Sequence, residues 1–333
     1  MSYELAAILP EFLDKGGDRA LPAPKMTRRL ILSALFALLI AGTALLLLKQ
    51  DRSPSKVLEQ AIHGEPLPVI TEGTSILTWN LQWFPGHKQS ADPETERIQV
   101  EAVAGVLQEA DADIVCLQEV KGEEAVNRLL ALLPDYRMQV ISDFWGVQEI
   151  VILSKVDAVT AYAEKFVARG EEDPPRGFGH ATFDFDGHRL LVYSVHFKSN
   201  YGGIEANIPV REESARQLLD HVEETKALHL GDGAKSVSVV LGGDFNTSLL
   251  SESFAAEQTG RLILEGGFEW GFRGLPEEET ITWLSDGRYP DVTFDHFFAQ
   301  AGNGAEVGRS VVLPTERDVS DHRPVIMTAA IHR

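Results

Sequence analysis

The residues of this 333-residue chain best equipped for chemistry lie in Gly242-Gly243-Asp244-Phe245-Asn246-Thr247. They follow the apolar run Val237 to Leu241, which reads as a strand, so the carboxylate of Asp244 and the carboxamide of Asn246 reach a sheet edge facing one ligand. The glycines let a backbone or a phosphate come close. A plain strand-to-turn exit uses the same residues, because Asp and Asn satisfy their own backbone there. What separates the two readings is that other expected strands end alike. Asn80 follows Ile76 to Trp79, Gln118-Glu119 follows Ile114 to Leu117, and His196 with Lys198 closes Leu191 to Val195. Asp295-His296 and Ser320-Asp321-His322-Arg323-Pro324 come near the C-terminus. Carboxylates, carboxamides and imidazoles without a cysteine cluster make an oxygen-rich site for a hard divalent cation, Mg²⁺ or Mn²⁺. A cation with imidazolium and guanidinium donors neutralises a phosphate ester enough for water to attack it, and a nearby carboxylate activates that water.

Strands interleaved with helices must position these groups. Glu94 to Glu109 places Ile98, Ala102, Val103, Val106 and Leu107 on one helical face, and Glu123 to Leu133 is a second helix stopped by Pro134. Glu149 to Leu153 and Ala181 to Phe185 read as strands, and Asp186-Gly187 turns the chain into Arg189 to Phe197. Arg211 to Thr225 is helical with Ala215, Leu218, Leu219 and Val222 inward. Val237 to Leu241, Asp295 to Phe298, Ser310 to Leu313 and Val325 to Ile331 are the last strands. The pattern predicts mixed sheets inside helical layers, an α/β fold. The single cysteine, Cys116, sits in an expected buried strand as a small hydrophobe.

Fifty acidic against thirty basic residues give a net charge of -20, which repels polyanions at long range, although a metal site reverses the potential locally. No basic patch with interleaved aromatics marks a groove that follows a nucleic-acid strand. Residues 30–48 carry no charge, and at helical rise they extend roughly 28 Å, enough for a transmembrane helix. Residues 1–29 are expected as a leader, cytoplasmic or a mis-assigned start, and 49–73, rich in Pro and Gly, as a linker. The catalytic body is expected at 74–333. Lys25, Arg28 and Arg29 ahead of the span favour an exported body on a single-pass anchor, with signal cleavage and secretion as the alternative. No protein partner is expected.

Trp79-Asn80, Leu117-Gln118-Glu119, Val195-His196, Gly243-Asp244-Phe245-Asn246, Phe294-Asp295-His296 and Ser320-Asp321-His322-Arg323-Pro324 stand in the order found in the endonuclease/exonuclease/phosphatase superfamily. The chain resembles that superfamily over roughly residues 74–332. The resemblance implies a four-layer α-β-β-α sandwich of two mixed sheets with the site at one edge. It implies Glu119 as the main metal ligand, assisted by Asn80 and Asp321. Asp244 and Asn246 would flank the scissile phosphate, Asp244 orienting or deprotonating the water. His322, its ring held by Asp295, and His196, oriented by Glu149, would contact phosphate oxygens, as would Arg176. The implied activity is that of a metal-dependent phosphodiesterase, first a nuclease acting on nucleic acid. A phospholipid or inositol-phosphate hydrolase is the alternative, and a catalytically inactive binding module of the same fold a second one. The segment Gly266 to Pro290, with Trp270, Phe272, Arg273, Trp283 and Arg288, departs most from the family pattern and reads as a partly buried loop or a shaper of substrate access.

Overall fold

Parallel neighbours need a crossover, and this chain makes two of them. In the computed structural model, which describes residues 54–331 apart from positions 145 and 147, strand β1 (Thr74–Phe84) leads through helix α2 (Pro93–Ala110) to β2 (Ile114–Val120), paired parallel to β1. Strand β7 (His188–His196) leads through helix α4 (Ile204–Gly231) to β8 (Ser236–Asp244), paired parallel to β7. Each unit centres one sheet and delivers the C-terminal ends of its two strands side by side.

Antiparallel strands complete both sheets, which are therefore mixed. The first has seven strands and runs β11 (Ala305–Val307), β13 (Val325–Ile331), β1, β2, β4 (Glu149–Ser154), β3 (Arg137–Ile141), with the short β12 (Val311–Val312) also on β13. The second has six and runs β5 (Thr160–Lys165), β6 (Gly177–Phe185), β7, β8, β10 (Asp295–Gln300), β9 (Glu269–Trp270). Strand alternation divides the core. Ile76, Ile114, Cys116 and Ile152 join the side chains of the second sheet in one cluster. Leu77, Trp79, Val115, Leu117 and Leu153 form another, with Val103 and Leu107 of α2 and Val126 and Leu129 of helix α3 (Glu123–Leu130). Two mixed sheets with helices are the α/β architecture the sequence predicts.

Several expectations are corrected. On α2, capped by Asp92 Oδ1, which accepts the Thr95 N–H at 3.0 Å, the buried face is Gln99, Val100, Val103, Ala104 and Leu107, whereas Ile98 is 54% exposed. Helix α4 starts seven residues before Arg211 and runs through Pro209, where the i→i−4 bond to the Glu205 carbonyl is missing. Within the segment read as linker, Pro54–His63 is a helix, α1. It contacts α5 (Thr259–Glu265) and β9, and Ile62 and Leu67 are buried. The chain divides into two units at Ser53/Pro54, so α1 belongs with the body. The expected span at 30–48 and the leader lie outside the described residues, among which no helix is long and apolar enough to cross a membrane.

Candidate active site

Register brings Asp244 to the centre. It is the last residue of β8, directly beside His196 of β7 on one side and opposite Asp295 of β10 on the other. Gly243 is glycine because a Cβ there would lie 2.1 Å from the Val195 carbonyl oxygen, at φ +147°. The close approach is thus to the neighbouring strand. The first sheet contributes Asn80, whose Nδ2 donates to Asp244 Oδ2 at 2.9 Å and faces Glu119 Oε1 at 3.4 Å.

Glu119 shows how the backbone re-aims a side chain. Gln118 points between the sheets, where its Nε2 donates to Ser194 Oγ at 3.0 Å. Simple alternation would send Glu119 into the helical layer. Instead Glu119 has φ +61° and the pairing register breaks on both sides of it. At the end of β1, Gln82 and Trp83 are also left-handed, at φ +49° and +54°, and the Trp83 N–H donates to Glu119 Oε2 at 3.0 Å. Left-handed backbone at non-glycine residues costs about 1–2 kcal/mol each, and such strain persists where surrounding structure enforces it.

His322 enters from the loop before β13. Trp79 Nε1 donates to the His322 carbonyl at 2.8 Å, and Ser320 Oγ donates to the Asn80 carbonyl at 2.7 Å, which staples this loop to β1. The His322 ring contacts Asp295 Oδ2 through Nδ1 at 2.7 Å, and its Nε2 lies 3.9 Å from Asp244 Oδ2. Burial disfavours its charge, but the carboxylates of Asp295, Asp244 and Asp321 outweigh this and push its pKa up to about 10. His196 is the opposite case. Burial, with Arg176 and His322 adding, holds it well below its ordinary value, so its 3.6 Å approach to Asp244 and 3.7 Å approach to Glu119 are those of a neutral ring. Burial pushes Asp244 up to about 7, and it also raises Glu119, with Asp321 adding. One imidazolium, one neutral imidazole and carboxylates whose charge burial disfavours therefore share the site.

A cleft of ≈ 800 Å³ opens on this group, lined by Glu119, His196, Asp244, Asn246, Asp321 and His322 of the ten expected site residues. Asn80 and Asp295 act from behind, through Asp244 and His322. Glu149 does not orient His196: its Oε2 accepts from Ser142 Oγ and the Phe144 N–H, while His196 Nδ1 is buried without a partner. Glu149 lies on β4 of the first sheet and is met there by Ser142 just past β3, whereas His196 belongs to the second sheet. Arg176 is near enough for Glu119 and Asp244 to act on it, yet its Nη1 donates to the Phe197 carbonyl at 3.0 Å and its Nη2 to Gln148 Oε1 at 3.2 Å. Asp321 Oδ2 accepts from Trp283 Nε1 at 3.3 Å, so the divergent segment does reach the site. His296 points to the other face, bonded to Trp270 Nε1 and the Thr247 carbonyl, as strand alternation from Asp295 requires. Sequence reasoning missed Trp83 and His87, both cleft-lining, because the left-handed turn that places them leaves no hydrophobic periodicity.

Two groups could hold a divalent cation. Asp244, Asp295 and His322 offer ligand atoms within 4.8 Å of one another. There, however, Nδ1 is engaged by Asp295 and the ring is held protonated, which opposes ligation. Glu119, Asn80 and Asp321 offer oxygens as well; Glu119 Oε2 accepts the Trp83 N–H and Asn80 Oδ1 the Gln82 N–H, each at 3.0 Å, and burial raises the pKa of Glu119 against the lowering by His322 and Arg176.

A sequence model of the Endonuclease/Exonuclease/phosphatase family matches residues 77–322. No curated protein sequence matches the chain. Among solved structures, truncated TDP2 of Caenorhabditis elegans superposes with a TM-score of 0.57 at 20% identity, covering 77% of this chain and 97% of that one. A D. rerio TDP2 humanized by 14 mutations gives 0.59 at 19%, covering 77% and 98%. The mannosyl-6-phosphatase of Bacteroides thetaiotaomicron gives 0.54 at 19%, covering 77% and 99%. At these identities the similarity is one of fold.

Proposed function

Because the chain belongs to the Endonuclease/Exonuclease/phosphatase family, whose members are phosphoester hydrolases, we propose that it hydrolyses a phosphate ester by direct attack of water with the help of Mg²⁺ or Mn²⁺. The observation that carries this reading is the convergence on Asp244 of His196, Asn80 and the Asp295–His322 pair in one cleft. A divalent cation held by Glu119, with Asn80 and Asp321, would supply charge neutralisation at the phosphate oxygens.

The chain's own groups do the rest. Ionised Asp244, anchored by the Asn80 amide and by the Asn246 N–H at 2.8 Å, accepts the proton of the attacking water. His322, kept as an imidazolium by Asp295, donates to a phosphate oxygen as negative charge develops there. Neutral His196 is assigned its proton on Nε2, the nitrogen that faces Asp244 and Glu119, while Nδ1 is buried without a partner, and so donates into the same space. Asn246, held at φ +54° with its Nδ2 donating to the Phe197 carbonyl at 3.3 Å, lines the cleft beside the reacting groups.

Direct attack inverts configuration, so a chiral phosphorothioate diester hydrolysed in isotopically labelled water should give inverted product, and retention would point to a covalent intermediate. The ligand assignment has a separate readout. Calorimetric Mn²⁺ affinity should fall about tenfold or more in Glu119→Gln, in line with the weakening expected when a ligand shell is damaged, and unchanged affinity would move the metal elsewhere.

A further inference from the structure

Beyond the catalytic groups, one wall of the cleft is apolar. Phe254, Val292 and Phe294 form a buried cluster of their own, against which Ile204 and Trp283 pack. The ring centroids of Phe254 and Trp283 each lie 5.6 Å from that of Phe294, and all five residues line the cleft together with Tyr289, which is 68% exposed. Three separate segments meet there: the start of α4, the turn after β8 and the stretch 283–294 of the divergent segment.

Cations are absent in the same place. Among the described residues, none that line the cleft is lysine or arginine. Three in the elements around it donate to the protein's own oxygens. Arg176 donates to Phe197 and Gln148, and Lys198 Nζ to the Ser199 carbonyl at 3.2 Å. Arg211 donates to both oxygens of Glu257 at 2.7 Å, to the Lys198 carbonyl and to Asn200 Oδ1. A phosphate beyond the reacting one would meet no lysine or arginine among the described residues that line the cleft, in a chain of net charge -20. The volume of ≈ 800 Å³ is that of a small-molecule site.

We propose that Ile204, Phe254, Trp283, Tyr289, Val292 and Phe294 bind an uncharged apolar group of the ester, so that the substrate is a small molecule with one phosphate and not a polyanion. This rests on the phosphoester hydrolysis proposed above. Apolar area removed from water then adds to binding at a point remote from the reacting bond.

The test uses the full-length protein with Mn²⁺ and two diesters that share charge and leaving group, phenyl p-nitrophenyl phosphate and methyl p-nitrophenyl phosphate. After each kcat/KM is divided by the ester's hydroxide rate, the phenyl ester should be favoured about tenfold or more, from the area of one buried ring. Ile204→Ser, at a half-buried position, should cut the phenyl-to-methyl ratio severalfold. A second phosphate on the phenyl ring should lower kcat/KM. Equal turnover of the two esters, or preference for the doubly phosphorylated one, overturns this inference alone. No turnover of either ester in Mg²⁺ or Mn²⁺ overturns the proposed hydrolysis and this inference with it.

Discussion

His322 and Asp295 meet at 2.7 Å inside the protein, and that contact is the largest of those that hold His322 charged. The folded-state pKa of about 10 lies above the ordinary 6.5, so the pair contributes stability that is complete below pH 6.5 and lost as pH rises through 10. The imidazolium that meets the phosphate is lost in the same window. In Asp295→Asn, burial prevails over the remaining carboxylates, and the alkaline limb of the kcat/KM profile should move to lower pH by a unit or more, about 1.4 kcal/mol per unit. An unmoved limb would mean that His322 is not the group titrating there. Asp244, His196, Glu119 and Asp295 were legible in the sequence because each lies at or next to a strand end, and His322 because it stands just ahead of β13. The partner of Glu149 was not, since it depends on Ser142, beside a strand the sequence hides. Nor was the aim of Glu119, which a positive φ decides against the alternation rule.

Helix α4 is both the crossover of the second sheet and one border of the cleft. Its Arg211, fully buried, ties Glu257 to the loop at Lys198 and Asn200 that follows β7. Arg211→Met leaves the Glu257 carboxylate buried without its partner and should destabilise the fold by about 3–5 kcal/mol in urea unfolding. Adding Glu257→Leu should restore much of that loss. A single variant as stable as the parent would contradict the picture of a buried, desolvated pair. At this scale the central strands were readable as apolar runs. Strands β3 and β5 were not, because they are sheet edges: β5, Thr-Ala-Tyr-Ala-Glu-Lys, has no buried residue and is held by pairing with β6 instead of by its own side chains. Helix α1 hid among the prolines of the expected linker, and only its tertiary contacts reveal it as part of the body.

For the molecule as a whole, burial keeps two histidines outside the cleft chemistry neutral, His180 with a pKa lowered to about 3 and His296 to about 4. Their folded values lie below the unfolded one, so their contribution to stability is complete above pH 6.5 and is lost as pH falls through 4 and 3. By pH 5 the two together should cost roughly 4 kcal/mol, visible as a falling urea midpoint. In His180→Gln the fall should be shallower, and an identical slope would refute the assignment. Residues 30–48 lie outside the described structure, and we propose from their uncharged length that they anchor the body on the exported side of a membrane. Reporter fusions after residue 55 that are active only in the cytoplasm would overturn that placement. The central claim meets its most direct test in the release of p-nitrophenol from bis-p-nitrophenyl phosphate by the full-length protein. Turnover should require Mg²⁺ or Mn²⁺, stop in EDTA, and fall roughly a thousandfold in Asp244→Asn, the scale of removing a general base. Turnover that persists in EDTA, or an undiminished Asp244→Asn variant, would contradict the account.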